Sequence, residues 1–273
     1  MDCRGKTLDL GKQTQVMGIL NITPDSFSDG GKYSSLELAV NQALQIEGEG
    51  AAVLDIGGQS TRPGYIEVSQ DEELSRVVPV VKACISKLKI PISIDSYRSK
   101  VADESIKAGA SLVNDQHGFQ GDPLMPKVVA EWGCPVVLMH WDKTLQAQEV
   151  SIIDSIKRFF EKSISIADQF GIERNKIILD PGIGFYKTQS QNLSIIAKIA
   201  ELKSMGFPLL LGASRKSVIA HVLGGEPDDR LEGTLVTTAL AAYEKVDLVR
   251  VHDVKANLRA IRMAEAVLNA SKT

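Results

Sequence analysis

Cysteine is scarce in this chain. There are three in 273 residues, Cys3, Cys84 and Cys134, and their spacing fits neither a disulfide framework nor a zinc site. The count favours a reduced, cytoplasmic setting. Cys84 falls in an apolar helical pattern and Cys134 beside a strand, so both read as packing residues rather than nucleophiles. No basic tract is present and the formal net charge is −3, which argues against a nucleic-acid partner. No apolar run approaches the roughly 20 residues that cross a bilayer, so a membrane is not an expected partner either. Residues 1–15 carry Arg4, Lys6 and Lys12 and have no apolar stretch, which is not the pattern of a secretory signal. No Pro/Gly/Ser-rich linker divides the chain. The first strand is not followed by a G-x-G-x-x-G phosphate loop, which weighs against an open doubly wound sheet.

What the chain does have is alternation. Short apolar runs at 16–20, 52–56, 91–94, 112–113, 135–139, 176–179, 208–211 and 248–251 read as buried parallel strands. Between and after them lie helical patterns at 36–47, 72–88, 100–108, 123–132, 152–170, 191–205, 231–245 and 254–269. Gly50, Gly109, Gly133, Gly171 and Gly206 precede strands and read as helix stops. Eight strand–helix repeats in a chain of this length predict a (β/α)8 TIM barrel, one domain over residues 1–273 with a short segment, 1–15, before the first strand. The active site is then expected at the C-terminal mouth of the strands, on the βα loops.

The residues at those strand ends form a set. Asn21 ends the first strand. Asp55 lies in the second, which leads to Thr61, Arg62 and Pro63. Asp95 ends the third, Asn114 and Asp115 the fourth, and Met139 and His140 the fifth. Asp180 ends the sixth, Gly212, Ser214, Arg215 and Lys216 follow the seventh, and Arg250 and His252 the eighth. Singly, each has a plain reading as a helix cap, a surface ion pair or a structural histidine. Together they aim two chemistries at one opening. Arg62, Arg250, His252, Thr61 and Asn21 suit an anionic phosphorylated group, with arginine forks for its oxygens. Asn21 offers an amide oxygen to a Mg²⁺ carrying a diphosphate. Asp95, Asn114 and Asp180 suit a flat heterocycle rich in N–H groups, since a carboxylate accepts two hydrogen bonds from an amidine-like edge. Lys216 would meet a ring carbonyl. The loop over 21–31 is long for a βα connection and carries Phe27 and Asp29, which favours a functional over a purely connecting role.

The motifs MGILNITPDSFSDGG (17–31), DIGGQSTRPG (55–64), ISIDS (92–96), VND (113–115), LDPGIGF (179–185), GASRKS (212–217) and RVHDVK (250–255) resemble, in order and over nearly the whole chain, the dihydropteroate synthase family of folate biosynthesis. The resemblance implies condensation of 6-hydroxymethyl-7,8-dihydropterin diphosphate with 4-aminobenzoate, giving dihydropteroate and diphosphate. It implies Mg²⁺ as cofactor, sulfonamides as inhibitors and a homodimer. Carried over by position, Asn21 is the metal and diphosphate ligand, and Thr61, Arg62, Arg250 and His252 complete the diphosphate set. Asp95, Asn114, Met139, Asp180, Phe185, Gly212 and Lys216 form the pterin pocket. Phe27, Pro63 and Ser214 contact 4-aminobenzoate, and Asp29 stands near the reacting carbon. Asp29, Asp95, Lys216 and Arg250 are the expected catalytic residues.

The implied chemistry is SN1-like. Diphosphate leaves once its charge is neutralised, the dihydropterin methylene cation is stabilised by ring resonance and by Asp95 and Asp29, and the amine adds second. The loops after the first two strands are expected to close and exclude water. A methyltetrahydrofolate methyltransferase would share the pterin carboxylates but needs no diphosphate set, and an inactive pterin-binding barrel would be expected to lose the Arg and Lys residues. Two positions depart from the family pattern: Gln59 stands where an acidic or small residue is common, and Gln116 where an aliphatic pterin-wall residue is common. Asp25 and His117 have no assigned role.

Overall fold

The computed structural model describes residues 1–22, 32–59, 67–144 and 151–271. Phe27, Asp29, Thr61, Arg62 and Pro63, all expected at the site, and the unassigned Asp25 lie outside this set. The chain opens with a two-stranded hairpin, β1 (Asp2–Cys3) and β2 (Lys6–Thr7). Eight parallel strands follow: β3 (Gln15–Asn21), β4 (Val53–Gly57), β5 (Ile92–Asp95), β6 (Leu112–Asp115), β7 (Val136–Met139), β8 (Ile177–Asp180), β9 (Leu210–Leu211) and β10 (Leu248–Val251). They are ordered β8-β7-β6-β5-β4-β3-β10-β9. A parallel bridge between Leu179 and Leu209 joins β8 to the start of β9 and closes the ring. The expected TIM barrel is therefore the observed fold.

Helices wrap the outside: α1 (Lys32–Gly48), α2 (Gln70–Ile85), α3 (Ser99–Ala108), α4 (Met125–Trp132), α5 (Ile152–Gln169), α6 (Gln189–Ala197), α7 (Ile199–Leu202), α8 (Ser217–Leu223), α9 (Leu231–Tyr243) and α10 (Val254–Ala270). The one continuous helix expected over 191–205 is broken at Lys198 into α6 and α7. The short α8 was not foreseen. β9 is shorter than its apolar run because Pro208, at the start of that run, has no N–H to give to a ladder. The five glycines expected to stop helices all have positive φ. Among the described residues no helix is long and apolar enough to cross a membrane.

Two apolar layers hold the barrel. Outward-facing strand residues such as Leu54, Ile56, Ile92, Ile94, Val113 and Leu138 pack against the helices. Inside the barrel, at its N-terminal end, Met17, Val53, Leu112, Val137, Ile178, Leu210 and Leu248 form a second cluster. Cys3 and Leu8, at 0% and 1% exposed, complete that cluster, so the hairpin segment plugs the bottom of the barrel. Polar contacts fix the plug. Arg4 Nη1 donates to the carbonyls of Ile106 (3.0 Å) and Ala110 (2.9 Å), and Lys6 Nζ to those of Leu88 (2.9 Å) and Ile90 (2.8 Å). Each cation sits just past the C-terminal end of a helix, α3 for Arg4 and α2 for Lys6, where a positive charge suits the helix dipole. All three cysteines are buried and free, which fits the packing role expected of Cys84 and Cys134. Leu8→Ala opens a cavity in the plug and is expected to lower unfolding stability by about 2–4 kcal/mol, read by urea denaturation. The same change at the less buried Leu10 costs less.

Candidate active site

Side chains alternate across a strand, so the position two residues beyond each floor residue also faces the lumen. That step replaces most of the apolar floor with polar residues or glycine, with Ile19 and Met139 remaining apolar. Val53 leads to Asp55, Leu112 to Asn114, Val137 to Met139, Ile178 to Asp180, Leu210 to Gly212 and Leu248 to Arg250. One further step reaches Asn21 on β3, Gly57 on β4, and Gln116, Ser214 and His252 just past β6, β9 and β10. Asp95 faces the same lumen from the end of β5, where its backbone pairs with Gly57 and Asn114. The described part of the expected set therefore converges on one opening at the C-terminal end of the strands.

Charge is concentrated at the centre. Arg250 Nε donates to Asp55 Oδ2 at 2.6 Å and Nη2 to Asp95 Oδ2 at 2.6 Å. Asn114 Nδ2 donates to the same Asp55 oxygen at 3.0 Å, and Gln116 Nε2 to Asp95 Oδ1 at 2.6 Å. Burial pushes the Asp95 carboxyl up to about 6; Arg250 opposes this and the Asp55 charge adds to it. Asn21 Oδ1 and Asp95 Oδ2 both lie close to Gly57, 3.6 Å and 3.4 Å from where its Cβ would stand.

The other wall is built on β8 and β9. A Cβ on Gly212 would lie 3.7 Å from Lys216 Nζ, 3.8 Å from Arg250 Cβ and 3.8 Å from Asp180 Oδ2. The glycine brings these three groups together around a backbone that carries no side chain of its own, which lets a ligand approach closely. Asp180 Oδ1 accepts the Gly182 N–H at 2.8 Å, and burial raises its pKa against the pull of Lys216. Lys216 is pushed down to about 8 by burial, opposed by Asp180. Its Nζ donates to the Ile183 carbonyl at 2.6 Å and lies 4.6 Å from the centre of the Phe185 ring. Met139 is buried beside this wall. Ser214 Oγ lies 3.0 Å from His252 Nδ1 and accepts the His252 N–H at 3.3 Å. The sequence reading placed these two residues with different substrates; the structure joins them.

Some strand-end residues do other work. His140 is fully buried on the helix side of β7, edge-on to Phe159 at 4.8 Å between ring centres, with Lys187 Nζ 2.9 Å from its Nδ1. Lys187 also donates to the carbonyls of Gly182 (2.9 Å) and Phe185 (3.1 Å), and so holds the turn that presents Phe185. Its burial pushes it down to about 7. Gly182 is required there, since a Cβ would meet the His140 oxygen at 2.3 Å. Asp115 caps its own loop through the N–H groups of His117 and Phe119. Gln59 accepts from Arg98 Nη1 at 3.2 Å and donates to Tyr97 Oη at 3.4 Å. Arg98 in turn is paired with the buried Glu73. This departure from the family pattern supports the βα segment rather than the lumen. Asp55, named from the sequence among the strand-end residues but given no role there, stands at the centre of the site. The one signal was a carboxylate inside the apolar run VLDIG, on the lumen face. No group of three or more His, Cys, Asp or Glu that could hold a metal occurs among the described residues.

A closed barrel with an apolar floor, and a mouth pairing carboxylates and amides with cations around Gly212, has the architecture of a barrel enzyme with its site at the C-terminal strand ends. The model of the family described as "Pterin binding enzyme" matches residues 17–252. The dihydropteroate synthase of Clostridium beijerinckii is 44% identical over 98% of this chain and 99% of the relative. A crystal structure of dihydropteroate synthase from Clostridium difficile, in the presence of pteroic acid, superposes with a TM-score of 0.91 at 47% identity, covering 96% of this chain and 99% of that one. A Yersinia pestis dihydropteroate synthase with a sulfonamide drug complex gives 0.90 at 42% identity, with 98% of both chains covered. The chain belongs to the pterin-binding enzymes and, within them, to the dihydropteroate synthases.

Replacing Arg250 by methionine leaves Asp55 and Asp95 buried side by side without a cation. The expected loss is about 3–5 kcal/mol near neutral pH. The pH dependence has a definite sign. Asp95 holds its proton more tightly folded than unfolded, so its ionisation costs stability as pH rises through about 6. Arg250 holds that pKa down, so in the variant Asp95 keeps its proton to higher pH, and the penalty of Arg250→Met shrinks as pH falls toward about 6 and levels off below it. Urea melts of both proteins across pH 5–8 check this.

Proposed function

We propose that this chain makes 7,8-dihydropteroate from 6-hydroxymethyl-7,8-dihydropterin diphosphate and 4-aminobenzoate, with residues 1–273 acting as one catalytic unit. The observation that carries the reading is the convergence of Asp180, Lys216 and Arg250 around Gly212, with Asn114 in the same lumen layer. Asp180 Oδ2 accepts from the N–H groups of the pyrimidine edge, and Lys216 donates to the ring carbonyl. Phe185 and Met139 wall the ring. Arg250, His252 and Asn21, with Thr61 and Arg62, receive the diphosphate, Arg250 by exchanging a carboxylate partner for phosphate oxygens. Phe27, Pro63 and Ser214 receive 4-aminobenzoate or a sulfonamide in its place.

The described donor set fits Mg²⁺ in one respect: Asn21 supplies a hard oxygen at the mouth, and this ion takes few protein ligands beside phosphates and waters. When bound with the diphosphate it neutralises leaving-group charge. The protein's own contributions are separate. Arg250 and His252 stabilise negative charge as the C–O bond breaks with its electron pair going to diphosphate. Asp95, held by Gln116 and Arg250, faces the positive charge that develops on the pterin methylene, with Asp29 beside the reacting carbon. The amine of 4-aminobenzoate then forms the C–N bond and loses a proton.

The same reading includes a homodimer and a cytoplasmic location. In support of the dimer, Val236, Leu240 and Tyr243 on α9 and Met263 and Val267 on α10 are large exposed apolar side chains on two helices that pack together. Leu240→Glu is expected to shift sedimentation toward a monomer. An unchanged sedimentation coefficient counts against this surface. The function is tested with purified protein, Mg²⁺ and both substrates: dihydropteroate forms, and none forms without 4-aminobenzoate. Lys216→Met lowers kcat/KM at least about tenfold through loss of a charged hydrogen bond. Binding of the pterin diphosphate with no product under any condition sinks the reading.

A further inference from the structure

Gln116 is the pocket residue that the family pattern leaves unexplained. It is 5% exposed. Its Nε2 is committed to Asp95 Oδ1 at 2.6 Å, yet its Oε1 is buried with no hydrogen-bond partner. The amide cannot turn round to relieve this without setting oxygen against an ionised carboxylate. A buried acceptor left empty is costly unless a ligand fills it, and a hydrocarbon wall at this position would carry no such cost.

Its place in the barrel indicates which ligand atom that is. On β6 the lumen step runs Leu112, Asn114, Gln116, from floor to opening. The reading above sets the pyrimidine edge of the pterin against Asp180 and Asn114, one step above the floor. The diphosphate-bearing carbon is attached to the other ring, and it must point to the mouth to reach Arg250, His252 and Asn21. The dihydropyrazine ring therefore stands at the level of Gln116 and Asp95. That ring has one N–H, at N8, and only in the 7,8-dihydro state; in the fully oxidised pterin N8 carries a lone pair instead.

We infer that Gln116 Oε1 accepts the N8–H of the bound ring and makes this pocket selective for dihydropterin over oxidised pterin. The inference rests on the proposed orientation of the pterin. The amide thus does two things with one side chain: its nitrogen fixes Asp95, and its oxygen reads the redox state of the ring. With oxidised pterin, two lone pairs face each other and the acceptor stays empty.

Binding of 6-hydroxymethyl-7,8-dihydropterin and of 6-hydroxymethylpterin, measured by calorimetry under anaerobic conditions, tests it. The wild-type protein is expected to prefer the dihydro form. Gln116→Leu is expected to weaken the dihydro form about tenfold or more while leaving the oxidised form unchanged or tighter, with thermal unfolding as the check on folding. A retained preference, or equal loss for both ligands, overturns the inference. Asp95→Ala separates direct contact from action through Asp95. In that background Gln116→Leu must still reduce the preference, and no further change overturns direct contact. If the wild-type protein binds neither pterin, the underlying functional reading fails instead, which is a different result from lost selectivity.

Discussion

The centre of this molecule is one guanidinium shared by two carboxylates. Arg250 reaches from β10 to Asp55 on β4 and Asp95 on β5, and Asn114 and Gln116 complete the chain from β6. The Asp95 carboxylate would not be tolerated this deep without a cation beside it. Nor would Arg250 be tolerated so deep without the two carboxylates. The arrangement ties four strands together across the lumen, and it keeps the mouth rigid and polar where a barrel built for stability alone would continue its apolar packing. It also sets acceptors and a donor in mutual pairs, so that the charges at the mouth neutralise one another.

Much of this was legible in the sequence because a parallel barrel leaves a strong trace. Buried strands read as apolar runs, glycines mark helix ends, and polar residues collect at the C-terminal strand ends. The layer rule explains why Asn114, Asp180, Gly212 and Arg250 could be picked out from the chain. What could not be read was pairing. Nothing local shows that Arg250 faces Asp55 across the lumen, because the two are neighbours only through the register of β10, β3 and β4. Asp55 therefore stands in the strand-end set without a role that the sequence can assign. His140 was ambiguous because one residue's difference along β7 decides between lumen and helix side. The hairpin at residues 2–7 was missed because two-residue strands carry no period to detect, and the break at Lys198 because the apolar pattern runs through it.

Stability and chemistry are divided along the barrel axis. Below, the floor cluster and its plug are dry and apolar. Above, nearly every lumen position is polar, glycine or half-engaged, and the compensating interactions lie outside the strands. Lys187 grips the turn that carries Phe185, Arg98 and Glu73 brace the segment after β4, and Arg215 links the loop after β9 to Asp253 and Asp228. These braces secure the backbone around the mouth from outside the lumen. This leaves the mouth residues free to vary with chemistry while the fold is secured from behind.

The plug has a consequence for how the chain folds. Cys3 and Leu8 pack against residues from β3, β4, β6, β7, β8, β9 and β10 together, so this segment, which precedes every barrel strand in the chain, has no complete seat until the final strand is in place. Its contacts span nearly the full length of the chain, which is the kind of topology that folds slowly. Until β10 docks, the hairpin's apolar side chains and the open barrel end are both exposed. The interval between synthesis and ring closure is therefore when this protein is most open to aggregation.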